Sequence, residues 1–205
     1  MRELFLMRHG MTRENKAHIV IGQNDPSLID EAIAEINTIR PNIVKPDLIL
    51  SSDLKRALET AQLLFPKQKI TILSQLRERH FGSLQGKSRS MLKGVDLYRL
   101  NNEDNVFACT SLESFSSVVE RINYVKNLIK RSNASRILII SHGSFLSYFL
   151  NVLLSEKFIR YPLNNLHYHK ILFDDQGNIK EVIFNQNWLK KEKNDYVKIK
   201  KDLFS

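Results

Sequence analysis

The stretch Leu4-Phe5-Leu6-Met7-Arg8-His9-Gly10-Met11-Thr12 decides how the rest of the chain is read. Four apolar residues predict a short buried strand, and the abrupt change to Arg8, His9 and Gly10 marks its carboxyl end. In an open α/β sheet, ligands collect outside the carboxyl ends of the strands. A histidine between an arginine and a glycine at that edge suits a nucleophile in an anion pocket. The triplet alone is common, so its meaning depends on what the other strand ends carry.

Working outward, Leu48-Ile49-Leu50 predicts a second buried strand that ends in Ser51-Ser52-Asp53. Ser52 or Asp53 is the expected N-cap of a helix with Leu54, Ala57, Leu58, Ala61 and Leu64 on one face, and Arg56 falls in its first turn. Ile137 to Ile140 is the clearest strand of all. It runs into Ser141-His142-Gly143-Ser144 and an apolar helix ending near Leu154. Ile29, Ile33, Ile36 and Ile39 predict a helix stopped by Pro41; Phe115, Val118, Val119, Ile122, Val125 and Ile129 predict another. Lys69 to Leu73 alternates as a strand, followed by the polar loop Gln75 to Arg89, which begins with Glu78 close behind the strand. Met91 to Leu100 suggests a short helix within a lid or insertion. His167 to Phe173 and Ile179 to Phe184 predict a hairpin around Asp174-Asp175-Gln176-Gly177-Asn178.

Strands alternating with helices, then a hairpin, predict an α/β fold: a three-layer α/β/α sandwich on a mostly parallel sheet. The chain has 205 residues, 42% of them hydrophobic, enough for one sizeable core. A single domain over residues 1–188 is expected, with the insertion at about 87–111 and a basic tail at 189–205. Cys109 is the one cysteine, which excludes an intrachain disulfide and a cysteine-rich metal site. The chain shows no signal segment and no apolar run long enough to cross a bilayer, so a soluble, cytoplasmic protein is expected. The formal charge is +9, with six lysines against three acids in the tail. A lysine-rich terminus without aromatic spacing reads as solvated and does not call for nucleic acid or a membrane. Positive charge suits small phosphorylated molecules equally well. Nothing distinguishes a monomer from a homodimer.

Three strand ends therefore present Arg8 and His9, Arg56 and His142 toward one edge, with Glu78 behind a fourth. Two arginines and two histidines match the oxygens of a phosphate monoester, and the helix after His142 adds oriented N–H groups. His18, His80, His167 and His169 carry no convincing metal-ligand spacing, so neither metal nor cofactor is expected.

In these residues the chain resembles the histidine phosphatase superfamily, also called phosphoglycerate mutase-like. The matching set is Arg8-His9-Gly10 with Thr12 and Asn15; Ser51 to Leu54 with Arg56, Ala57, Thr60 and Ala61; Leu76-Arg77-Glu78; Gly82 and Gly86; Glu113-Ser114 with Arg121; and Ser141-His142-Gly143. The resemblance implies that His9 becomes a phosphohistidine, that Arg8, Arg56 and His142 bind the phosphate, and that Glu78 is the proton donor. It further implies Thr12, Asn15 and Gly143 as substrate-binding positions. The loop Glu78 to Lys87, with Gln85 where an acidic residue is commoner, looks like the mutase version and implies a second anionic group held by Arg79, Lys87 or Arg89. The paired arginine that follows this loop in the mutases is missing, since only Lys93 and Arg99 stand between Met91 and Ser111. Met11 in place of an acid, Leu112 in place of a glycine, and a first helix without glycine are further departures. A metal-independent phosphomonoesterase acting on a small metabolite is the leading expectation. A 2,3-bisphosphoglycerate-dependent mutase and a non-catalytic phosphate- or protein-binding module are the alternatives.

Overall fold

The apolar alternation of the first strand is used on both faces of a sheet. A computed structural model describes residues 1–92, 111–156, 159–189 and 196–197. Among these, β1 (Arg2–Arg8), β2 (Leu48–Ser52), β3 (Ile70–Leu73), β4 (Arg136–Ser141), β5 (Tyr168–Phe173), β6 (Ile179–Gln186) and β7 (Tyr196–Val197) form one sheet in the order β3-β2-β4-β1-β5-β6-β7. The first four in that order are parallel, and the last three run antiparallel to their neighbours. The helices are α1 (Arg13–Lys16), α2 (Asp30–Ile39), α3 (Lys55–Leu64), α4 (Phe115–Arg131) and α5 (Gly143–Leu153).

Because successive strand residues point to opposite faces, Leu4 and Leu6 pack with Val118 and Ile122 of α4 and Phe145 and Phe149 of α5. Phe5 and Met7 pack with Ala32 and Ile36 of α2 and Ala57 and Ala61 of α3. Each such fully buried large side chain contributes roughly 1.5–3 kcal/mol of transfer free energy. The three layers and the mostly parallel sheet are as the sequence predicts, and so is the terminal hairpin.

Register places the site. Arg8 lies opposite Ser141, Ser51 opposite Ile140, and Leu73 opposite Ser52. The carboxyl ends of β1, β4, β2 and β3 are therefore level, and the residues that follow them emerge side by side.

Four details differ from expectation. The N-cap of α3 is Leu54, with no side-chain cap, rather than Ser52 or Asp53. Ser52 Oγ instead accepts the Leu54 N–H at 3.2 Å, while Asp53 is drawn away by the two-pronged Arg77 guanidinium at 2.6–3.0 Å. The aperiodic stretch after Met11 holds α1, whose first turn is closed by a reciprocal Thr12–Asn15 cap. Part of the 189–205 segment joins the sheet, since β7 pairs with β6. Arg89–Met91 is a 3₁₀ turn, and most of the helix expected at Met91 to Leu100 lies outside the described residues.

Candidate active site

His9 follows β1 directly and is only 2% exposed. Its Nδ1 lies 2.6 Å from the Gly10 carbonyl oxygen, which can only accept, so Nδ1 carries the proton and Nε2 the lone pair. Burial, then Arg56 and Arg8, hold the imidazole well below its ordinary pKa, against a weaker pull from the Gly10 carbonyl. The ring is neutral at physiological pH. Asn165 fixes the turn that carries it, donating from Nδ2 to the carbonyls of His9 and Gly10 at 2.9 and 3.3 Å.

Arg56 comes from the first turn of α3, in the interior. Its terminal nitrogens donate to Asn24 O (2.7 Å) and Gly22 O (2.8 Å), and its Nε donates to His9 Nε2 at 3.2 Å. Burial lowers its pKa to about 10, opposed by Glu78 and Asp25, so it stays charged. The loop supplying these carbonyls is tied down by Gln85, which accepts from Gln23 N and donates to Asn24 Oδ1. At Gly22, φ is +56° and an added Cβ would lie 2.1 Å from Gln85 Oε1, so glycine is required there.

His142 is fully buried, its ring centroid 5.1 Å from that of His9. Its Nε2 lies 2.9 Å from Ser52 Oγ. That hydroxyl already accepts from Leu54 N, and among the described residues no other acceptor takes its proton. Ser52 therefore donates to Nε2, and the proton of the neutral ring sits on Nδ1. Burial, then Arg56, keep the pKa of this ring well below its ordinary value. Nδ1 has no hydrogen-bond partner among the described residues, nor does Arg8 Nε. Two donors buried at one strand edge without an acceptor fit an anion. The Arg8 guanidinium is otherwise held by the Leu163 carbonyl at 2.9 Å and lies against Gly143.

Glu78 sits over the N-terminus of α5. Oε1 accepts from Arg79 N (2.9 Å) and Phe145 N (2.8 Å), and Oε2 from Ser144 N (3.1 Å). Its loop is clamped by Arg121, which donates to both Glu113 oxygens and to the carbonyls of Gln75 and Arg77. Burial alone would raise the Glu113 carboxyl, but Arg121, His80 N–H and Ser117 bring it below its ordinary value.

Beside these groups opens a cavity of about 400 Å³ whose lining includes Arg8, Glu78, Gly143, Ser144, Arg89 and Arg160, and also Ser147, Tyr148 and Asn151. His9 and His142 are not among its lining residues; they form the buried shoulder beside it. Of the expected substrate-binding residues, Arg89 and Gly143 line the cavity. Arg79, fully buried, instead donates to Glu113 O and to the Tyr148 hydroxyl, and Lys87 is exposed and outside the lining. Thr12 and Asn15 close the α1 cap, and Asn15 Oδ1 also meets Asn165. Asn165, Tyr148 and Arg160 were not singled out from sequence, and Ser52 only as an N-cap and as part of the matching set; a polar residue just ahead of the β5 strand, at the same edge, was the one available signal for Asn165. Among the described residues, no three of His, Cys, Asp or Glu are grouped to hold a metal ion, and no helix is long and apolar enough to cross a membrane.

The sheet edge of this α/β protein brings two neutral histidines and two arginines together beside the cavity. The chain belongs to the histidine phosphatase superfamily (branch 1), whose profile matches residues 4–186. It is similar to a metal-independent phosphoserine phosphatase of Arabidopsis thaliana, 28% identical over 155 residues, 70% of this chain and 65% of that protein. A glucosyl-3-phosphoglycerate phosphatase of Mycolicibacterium vanbaalenii is 40% identical over 91 residues, 42% of this chain and 40% of that protein. The chain thus spans less than two thirds of the length of these curated relatives. The crystal structure of an Entamoeba histolytica phosphoserine phosphatase with 3-phosphoglyceric acid superimposes with a TM-score of 0.79 at 26% identity, covering 91% of this chain and 98% of that one.

Proposed function

We propose that the chain is a metal-independent phosphomonoesterase that hydrolyses a small phosphorylated metabolite through a phosphohistidine on His9. The observation that carries this reading is the state of His9: Nδ1–H is spent on Gly10 O, which leaves the lone pair on Nε2, where Arg56 Nε donates at 3.2 Å, at the same sheet edge as Arg8 Nε and His142 Nδ1–H, two buried donors without a partner among the described residues. Phosphoryl transfer asks the protein chiefly for positioning and for charge on the equatorial oxygens. Arg8 and Arg56 supply two positive charges to a group carrying about −1.5 to −2, and His142 adds a neutral donor.

In the first half-reaction Nε2 attacks phosphorus, the ester P–O bond breaks, and the leaving oxygen takes a proton from Glu78. In the second, Glu78 removes a proton from water, the resulting hydroxide attacks phosphorus, and the P–N bond breaks to release inorganic phosphate and neutral His9. Glu78 faces the cavity and is held there by three backbone N–H groups. The arginines provide the charge that a metal ion would otherwise supply.

The test is phosphate release in the presence of a chelator from a panel of phosphomonoesters, with His9→Ala as the control. Release by the wild-type chain alone, with an acid-labile phosphoenzyme after rapid quench, is expected. Isomerisation of 3-phosphoglycerate without phosphate release would identify a mutase instead. Binding of phosphate esters without turnover would leave a binding module.

A further inference from the structure

The loop that follows α1 has no period in sequence, yet residues 22–24 are held at every turn of the chain by a side chain from elsewhere. The carbonyls of Gly22 and Asn24 take the terminal nitrogens of Arg56 at 2.8 and 2.7 Å. Between them, Gln23 N donates to Gln85 Oε1 at 2.8 Å, and Asp25 accepts the Lys55 N–H in the first turn of α3 at 2.6 Å. The half-buried side chain of Gln23 takes no part in this arrangement. Its amide nitrogen lies 3.0 Å from the carbonyl oxygen of Glu78. A carbonyl can only accept, so the amide donates from Nε2.

The main chain around Glu78 is otherwise held from the α4 side. Arg121 of α4 takes the carbonyls of Gln75 and Arg77, and the N–H of Glu113, two residues ahead of α4, takes that of His80. Glu78 lies between these points, and its own carbonyl goes to Gln23. One amide therefore joins the segment that carries Glu78 to the loop that holds Arg56. In the proposed reaction the acid has to reach the leaving oxygen while the Arg56 charge sits on the same phosphate. An error in their relative placement costs rate even when both groups are intact.

We propose that Gln23 is a positioning residue for the proton donor: its side-chain amide fixes the main chain at Glu78 to the Arg56 loop and so aligns the acid with the leaving oxygen. Gln23 is not among the residues lining the cavity and acts through Glu78. This rests on the phosphatase reading of the same site and deepens it.

The experiment measures kcat/KM, which covers events up to departure of the leaving group, for two kinds of ester. p-Nitrophenolate leaves as a stable anion and needs no proton. The alkoxide of phosphoserine, 3-phosphoglycerate or glycerol 3-phosphate must receive one, and the alkyl ester used is the one that the wild-type chain hydrolyses fastest. General acid catalysis is worth about 10²- to 10⁴-fold, so Gln23→Met, which keeps the side-chain length and removes the donor, should lower the alkyl-to-p-nitrophenyl ratio of kcat/KM about tenfold or more. Gln23→Glu, whose carboxylate cannot donate to a carbonyl, should do the same. Each variant loses one hydrogen bond of a half-buried side chain, so both should fold. In Glu78→Gln, which has no proton to give, adding Gln23→Met should leave the ratio where it is. An equal loss on both kinds of ester in the Gln23 variants, or a further fall of the ratio in the Glu78→Gln background, overturns the positioning role and leaves the phosphatase reading intact. Turnover of p-nitrophenyl phosphate alone by the wild-type chain overturns the role as well, because no leaving oxygen then receives a proton. If the wild-type chain hydrolyses none of these esters, the phosphatase reading fails and the role of Gln23 with it.

Discussion

Ser52→Ala is the sharpest test of the site's internal logic, because Ser52 touches no substrate in the scheme and acts only by placing a proton. In the folded chain its hydroxyl accepts from Leu54 N at 3.2 Å and donates to His142 Nε2 at 2.9 Å, which leaves the ring proton on the buried Nδ1. Removing the hydroxyl deletes two neutral hydrogen bonds, each worth about 1 kcal/mol, so stability should fall by about 1–2 kcal/mol. In a domain of this size that is a loss of a few degrees in Tm. The catalytic loss should be larger than this implies. Losing an oxyanion donor outright costs about 10²–10³ in kcat, and an unfixed tautomer withholds the donor for part of the time. A fall of about 10- to 100-fold in kcat is expected, with a smaller change in KM. Steady-state kinetics gives the rate, and ¹⁵N NMR of the histidine side chains reports which nitrogen is protonated. Full kcat in Ser52→Ala, or an Nε2–H tautomer for His142 in the wild-type chain, would refute the reasoning.

Three further outcomes are expected. Arg56→Lys removes the donors to Asn24 O, Gly22 O and His9 Nε2 together, so kcat should fall by roughly 10²-fold or more and the thermal midpoint should drop. Gly143→Ala meets no clash, since its Cβ would lie 3.5 Å from Arg8 Nε, but the methyl covers that donor; folding should be unchanged while KM rises about tenfold, a loss of about 1.4 kcal/mol. The third concerns acid. His9, His142 and His169 are all depressed by burial, His169 to about 4, so the folded chain excludes protons that the unfolded chain takes up near 6.5. Their contribution to stability is complete above that value and lost as pH falls through the folded values. His169 alone accounts for about 3 kcal/mol of the loss. Urea midpoints measured from pH 8 to pH 4 should be level at first and decline below about 6.5; a rise in that interval would contradict the burial of these rings as neutral species.

What could be read beforehand was whatever lies next to a strand end. Arg8, His9 and His142 follow apolar runs directly, and the level register of β1, β4 and β2 does the rest. Arg56 needed one helical turn more, and it too was within reach. Arg79 was not: it follows Glu78 directly, yet its side chain is buried, donating to Glu113 O and the Tyr148 hydroxyl, while Glu78 lines the cavity. Gln85, suggestive of substrate preference in sequence, holds the loop that anchors Arg56 and lies outside the cavity lining. Ser147 and Asn151 are polar interruptions of an otherwise apolar stretch. Their partners lie in an aperiodic segment that folds back on α5, and contacts between a helix and a loop leave no period to read.

One helix carries two fixed points. Its first turn holds Glu78 through the N–H groups of Ser144 and Phe145, while Ser147 and Asn151, four and eight residues from Gly143, accept the N–H groups of Tyr161 and Ile159. At 1.5 Å per residue those anchors stand about 6 and 12 Å along the axis. α5 is thus a rigid ruler between the Glu78 carboxylate and the backbone of residues 159–161, and the spacing of these two parts of the cavity wall is set by counting residues along it.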